Sequence, residues 1–237
     1  MNKFLVIVGF ATLANTQIRG AQPDIDPSHI DVHITPYYNS AGPAVSVGSF
    51  SSGLASKNED EFLSTIGQMK KAWAGLGFPE LYIAAIRLYD LGYRNEATYW
   101  FYVAQYRGRQ FGTLLDQKSK GGVGDPGFEL LQAQSAFYRL TSPYILGYAF
   151  GDLDGLAKIV EKVQKEEREI PDLSATYPNV TFIDKSEWPA KNTELADGMG
   201  KLITMLKEKK EDLKKQRVDR GTEAKFSKLT NKEVTGR

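Results

Sequence analysis

Residues Phe78–Arg109 read FPELYIAAIRLYDLG followed by YRNEATYWFYVAQYRGR, two apolar-periodic runs split at Leu91-Gly92-Tyr93. In the first run Leu81, Ala84, Ala85, Leu88 and Tyr89 recur at three- and four-residue spacings, which places them on one stripe of a helix. Pro79 suits a first helical turn, where a missing N–H leaves nothing unpaired, and Glu80 suits the positive end of the helix dipole. Gly92 is placed to take a positive φ and stop the helix. The second run predicts a helix from about Asn95. Ala97, Trp100, Phe101, Ala104 and Gln105 share its face, Tyr99, Tyr102 and Tyr106 broaden it, and Arg107 and Arg109 sit near an expected end at Gly108.

Small residues interleaved with large aromatics allow two antiparallel helices to approach closely. The fold class that follows is mainly α: a helical-hairpin bundle of the TPR or Sel1 type, with a small N-terminal β-hairpin. The aromatic stripe reads first as core, because a stripe of this width faces inward, and second as a concave partner surface.

Working outward, the 237 residues are 41% hydrophobic and 25% charged, which fits one globular domain with extensions. A formal net charge of +1 gives no global argument for nucleic acid or an anionic membrane. The chain has no cysteine, so disulfides, thiolate metal sites and thiol catalysis are excluded.

Residues 1–21 resemble a secretory signal: Asn2-Lys3, then the apolar run FLVIVGFATLA from Phe4 to Ala14, with cleavage after Ala14 or Ala21. The competing reading is a buried N-terminal strand. Export implies a soluble periplasmic protein with no integral span after signal removal. Residues 22–28 form a linker and residues 29–217 a single mainly helical domain. The 218–237 segment is polar and expected to be disordered. Within the domain, Ile30–Thr35 and Pro43–Gly48 alternate as strands and predict a hairpin closed by Tyr37–Gly42. Asn58 with Glu61 resembles a capping box opening a helix through Phe62, Ile66, Met69 and Trp73. Residues 111–117 read as a short helix and 118–127 as a glycine-rich loop. Helical pattern resumes at Phe128 and is expected to break or kink at Pro143. Further helices are expected from about Asp154 and from Glu194 to Arg217, with a short strand at Val180–Ile183 between them. From Lys201 to Arg237 there are twelve Lys/Arg against six Asp/Glu. Acids are mixed among those lysines and, Phe226 apart, no aromatics interleave them, so a solvated helix is expected rather than a nucleic-acid surface.

No pattern announces catalysis, and no catalytic, cofactor or metal residues are assigned. His29 and His33 are four apart, but an extended chain holds such side chains about 13 Å apart, too far to share an ion. Gly122, Gly124 and Gly127 match GxGxxG, yet a polar, lysine-bearing run precedes them and Pro126 lies inside, so the loop reading wins over a dinucleotide site. The carboxylate pairs Asp152/Asp154 and Glu166/Glu167 lie beside turns or on polar faces. Candidate partner contacts are Tyr37 and Tyr38 in the expected turn, and Lys118, Lys120 and Asp125 in the glycine-rich loop, because loops on rigid scaffolds carry recognition.

The segment Glu61–Phe111, EFLSTIGQMKKAWAGLGFPELYIAAIRLYDLGYRNEATYWFYVAQYRGRQF, resembles the periplasmic immunity proteins of type VI secretion phospholipase effectors. Within it, LYDLGYRNEATYWFYVAQYRG is similar to a degenerate Sel1-like unit. The resemblance covers about a quarter of the chain. It implies a stoichiometric inhibitor, not an enzyme, that binds a secreted lipase in the periplasm and blocks substrate entry. The alternative is a periplasmic helical scaffold or envelope-assembly protein.

Overall fold

The computed structural model describes residues 25–42, 44–117 and 121–233. The signal-like run from Phe4 to Ala14 and the candidates Lys118 and Lys120 lie outside them. The fold is mainly helical, with ten α-helices among the described residues and one small antiparallel sheet. The helices are α1 (Ser51–Ala55), α2 (Glu59–Lys71), α3 (Phe78–Asp90), α4 (Arg94–Leu114), α5 (Pro126–Ala149), α6 (Leu153–Glu166), α7 (Leu173–Thr176), α8 (Trp188–Glu208), α9 (Lys210–Asp219) and α10 (Thr222–Phe226).

The quoted stretch folds as its periodicity predicts. Pro79 lies in the first turn of α3, and Gly92 ends that helix at φ +93°. The Gly92 N–H donates to Tyr89 O and the Tyr93 N–H to Leu88 O, which satisfies two terminal carbonyls in a Schellman arrangement. α3 and α4 form the packed centre: α5 lies against both, while α6 and α8 pack on α4 and on each other. Almost all of α3 is buried, from Phe78 to Tyr89. A helix buried all round belongs to a core rather than to an open concave face. Asn58 caps α2 by accepting from the Asp60 and Glu61 N–H groups. The Glu61 carboxylate does not close the expected box; it accepts from the Ser56 hydroxyl at 2.7 Å.

Several expectations are corrected. α4 runs through Gly108 to Leu114 without a break. A Cβ at Gly108 would stand 2.7 Å from Gln134 Cγ, so this glycine admits α5 rather than ending α4. Pro143 sits inside an unbroken α5, where Phe137 before it and Ile145 after it are both fully buried and hold the two halves in line. The final helix is divided at Lys209 into α8 and α9. The expected β-hairpin is a three-stranded antiparallel sheet of two-residue strands: β1 (His33–Ile34), β2 (Tyr38–Asn39) and β3 (Ala44–Val45) in that order. Ile34 pairs with Tyr38 and Tyr38 with Val45, so residues expected in the turn make the central strand. Burial explains the choice: Ile30, Val32, Ile34 and Tyr38 all point into the core. The Val180–Ile183 strand reduces to one antiparallel bridge, Leu115 with Phe182.

Both ends of the described chain are tied to the α3–α4 turn. On the N-terminal side Tyr89 Oη donates to Pro27 O at 2.7 Å, and Asp90 accepts from the Ile30 N–H at 2.8 Å. On the C-terminal side Lys232 N–H donates to Gly92 O at 2.8 Å. The segment expected to be a disordered tail is therefore folded as far as residue 233. Phe226 is buried against Gly147, where a Cβ would stand 2.4 Å from its ring.

Candidate functional site

A groove of about 620 Å³ opens between the start of α8 and the segment after α6. Trp188 stands at the first position of α8, with Pro189 following it as a helix-starting residue. Its indole N–H donates to Ile183 O at 3.0 Å, and its ring meets Phe182 edge-on at 5.9 Å. Lys185 Nζ lies 5.7 Å from the ring centroid, within cation–π range. Asn192 forms the floor. Its Oδ1 accepts from Tyr106 Oη at 2.9 Å and from Gln110 Nε2 at 2.8 Å, and its Nδ2 donates to Arg168 O at 2.7 Å. The floor has spent its hydrogen-bonding capacity internally. What the groove offers a ligand is apolar surface from Trp188, Ile170, Pro189 and Ala196, with Lys185, Arg168 and Glu169 around it.

The groove rests on a buried ion pair. Arg107 of α4 is 4% exposed and Glu167, just past α6, is 1% exposed. Nε and Nη2 of Arg107 donate to the two Glu167 oxygens at 2.8 and 3.1 Å, a bidentate geometry. Arg107 Nη1 donates to Trp73 O and Leu76 O, and Trp73 Nε1 donates to Glu167 Oε1. Trp73 stacks on Tyr99 at 5.9 Å, and Arg107 lies over its ring. Three segments distant in sequence are thus joined at one guanidinium. The α-helical period alone assigned Arg107 to a helix end; nothing local identifies its partner sixty positions on.

The sequence-predicted contact residues divide. Tyr38 is 4% exposed, and burial pushes its hydroxyl up to about 12. It is a core residue and presents no surface to a partner. Tyr37, half-buried, packs on Phe137 at 5.9 Å. Burial, then the Glu80 and Glu129 carboxylates, raises its pKa. Glu129 also accepts from the Gly124 N–H, so Tyr37 and the glycine-rich loop are neighbours of one carboxylate. Asp125 is occupied as the N-cap of α5, accepting from the Gly127 and Phe128 N–H groups. Beside it Val123 is 92% exposed. Gly124 adopts φ +90° in a loop that directly follows no strand among the described residues, which is not the dinucleotide geometry.

The remaining candidates are accounted for individually. His33 contacts Thr35, while His29 Nδ1 lies 3.0 Å from Asp90 Oδ2. Burial pushes the Asp90 carboxyl up to about 6, against the opposing pull of the Ile30 N–H, His29 and Arg87. Asp152 caps α6, Asp154 pairs with Lys210, and Glu166 accepts from Tyr99 Oη. Among the described residues no group of three metal-ligating side chains gathers, and no helix is long and apolar enough to cross a membrane. Comparison of the chain with protein-family models, with curated proteins and with solved structures finds no match.

Proposed function

We propose that this protein is a periplasmic immunity protein that binds a type VI secretion phospholipase effector and blocks it, protecting the producing cell. The observation that carries the reading is the resemblance over Glu61–Phe111. The structure supports it in one respect: this segment builds α2, α3 and α4, a core whose ion pair and aromatic packing hold outer surfaces rigidly. A rigid surface loses little entropy on docking, which is what tight inhibition requires. In this reading the protein performs no chemistry and needs no cofactor. Contacts come from Tyr37, from the loop bearing Lys118, Lys120 and Asp125, and from the Trp188 groove, where an indole and the Arg168 guanidinium provide residue types that anchor interfaces.

The test is co-purification with the product of the adjacent open reading frame, followed by titration calorimetry and an assay of phospholipase activity at equimolar inhibitor. Nanomolar binding with loss of lipase activity is expected. Failure to bind any neighbouring effector tighter than the micromolar range refutes it.

The α3–α4 hairpin favours a second reading, a Sel1-like periplasmic scaffold or envelope-assembly protein. That reading expects a structural partner and no rescue of cells from a toxin.

A further inference from the structure

Residues 25–32 cross the C-terminal end of α3 and are held there by contacts to two adjacent residues, Tyr89 and Asp90. Tyr89 Oη donates to Pro27 O, Asp90 Oδ1 accepts from the Ile30 N–H at 2.8 Å, and Asp90 Oδ2 has Nδ1 of His29 at 3.0 Å. Oδ2 is buried, whereas the His29 side chain is half-exposed. Ile30, next to His29, is fully buried. Asp90 is the last residue of α3, so its carboxylate sits at the negative end of the helix dipole as well as out of water. An ionised Asp90 under this segment is unfavourable unless a cation answers it. A protonated His29 does so, and a neutral one does not.

The other groups around Asp90 keep one charge state near neutral pH. Arg87, one turn back on α3, attracts the carboxylate, but its guanidinium is committed to Leu54 O at 3.1 Å and Ser56 O at 2.7 Å and stays charged throughout. Tyr38 of β2, Tyr144 of α5 and Tyr89 itself face Asp90 as phenols, and burial raises all three, so they remain neutral. On the N-terminal segment, Asp31 accepts from Ser40 Oγ, and hydrogen bonds from Ser28 hold Asp26 ionised. We propose that residues 25–32 form an acid-closed strap: while the His29–Asp90 pair holds a proton the strap stays seated on the end of α3, and as pH rises through neutrality it lifts more often and bares Tyr89 and Asp90. Burial pushes the seated Asp90 carboxyl up to about 6, against 3.8 for a free one, so closing the strap takes up protons and rising pH opposes it. Between pH 5 and pH 8 the closing constant falls about tenfold on these values. The device needs no partner and is tested on this chain alone.

The measurement is amide hydrogen exchange by NMR on the full-length chain between pH 5 and pH 8, corrected for intrinsic exchange. The Ile30 N–H, which donates to Asp90, reports the strap, and the Ile83 N–H in the middle of α3 reports the whole fold. Ile30 is expected to be less protected than Ile83 at every pH, and its protection to fall about tenfold from pH 5 to pH 8. In Asp90→Asn that fall shrinks to under about twofold. Ile30 protection equal to that of Ile83 overturns the proposal, because the strap then opens only with the whole fold. Protection that is flat or rises with pH, or a fall that survives Asp90→Asn, overturns it equally. If Asp90→Asn does not fold, the unsubstituted chain decides through the side-chain carboxyl carbon of Asp90. Its chemical shift is expected to titrate near pH 6 with Ile30 protection declining above the same midpoint, and a midpoint at or below about 4 overturns the proposal.

Discussion

Arg107→Met tests the claim that one buried guanidinium holds the α2 end, α4 and the segment after α6 together. The substitution keeps most of the side-chain volume and removes four donated hydrogen bonds: two to Glu167, one to Trp73 O and one to Leu76 O. Glu167, 1% exposed, is left with Trp73 Nε1 as its remaining side-chain donor. Breaking one partner of such a pair costs about 3–5 kcal/mol, because the survivor is an uncompensated buried charge. Total stability for a domain is about 5–15 kcal/mol, so the loss is a large fraction of it. At about 2–4 °C per kcal/mol, Tm falls by roughly 6–20 °C. Removing both charges in Arg107→Met/Glu167→Leu returns part of the loss. It does not return all, because the Trp73 indole N–H and the Leu76 carbonyl stay unpaired at about 1–3 kcal/mol each, while Trp73 O keeps the Leu76 N–H. Urea unfolding at neutral pH, followed by far-UV circular dichroism with m held constant, gives the three free energies. A single substitution costing under about 1 kcal/mol, or a double variant equal to the sum of the singles, refutes the reasoning.

Asp90→Asn keeps the oxygen that accepts from the Ile30 N–H and removes a carboxyl whose pKa burial raises to about 6. A raised carboxyl pKa means the folded state holds the proton more tightly than the unfolded one. Its contribution is full below about 3.8 and is lost as pH rises through about 6, so the Tm advantage of Asp90→Asn grows from pH 4 to pH 7; a flat difference contradicts this. Gly147→Ala puts a methyl 2.4 Å from the Phe226 ring and is expected to lower Tm and free α10 to hydrogen exchange. The same change in a Phe226→Ala background is close to neutral, and an equal penalty in both backgrounds rules out the proposed clash. Asn58→Ala orphans the Asp60 and Glu61 N–H groups and costs about 1 kcal/mol in urea unfolding.

What was legible in the sequence is what neighbours along the chain decide. Apolar spacing placed α3 and most of α4, Gly92 marked the turn by its freedom at positive φ, and Asn58 announced a cap. Each depends on residues within about one helical turn. Gly108 and Pro143 misled for the same reason: as local signals they end helices, and only the approach of Gln134 and the burial of Phe137 and Ile145 show why these two do not. Of the candidate contacts, loop chemistry suggested Tyr38 and packing buried it, while Asp125 caps α5. Tertiary structure alone decided that Arg107 meets Glu167, that His29 meets Asp90, and that residues 230–232 close on the start of α4. Those pairings span sixty residues or more, and their partners are selected by which surfaces the helices bring together, a property no window of sequence contains.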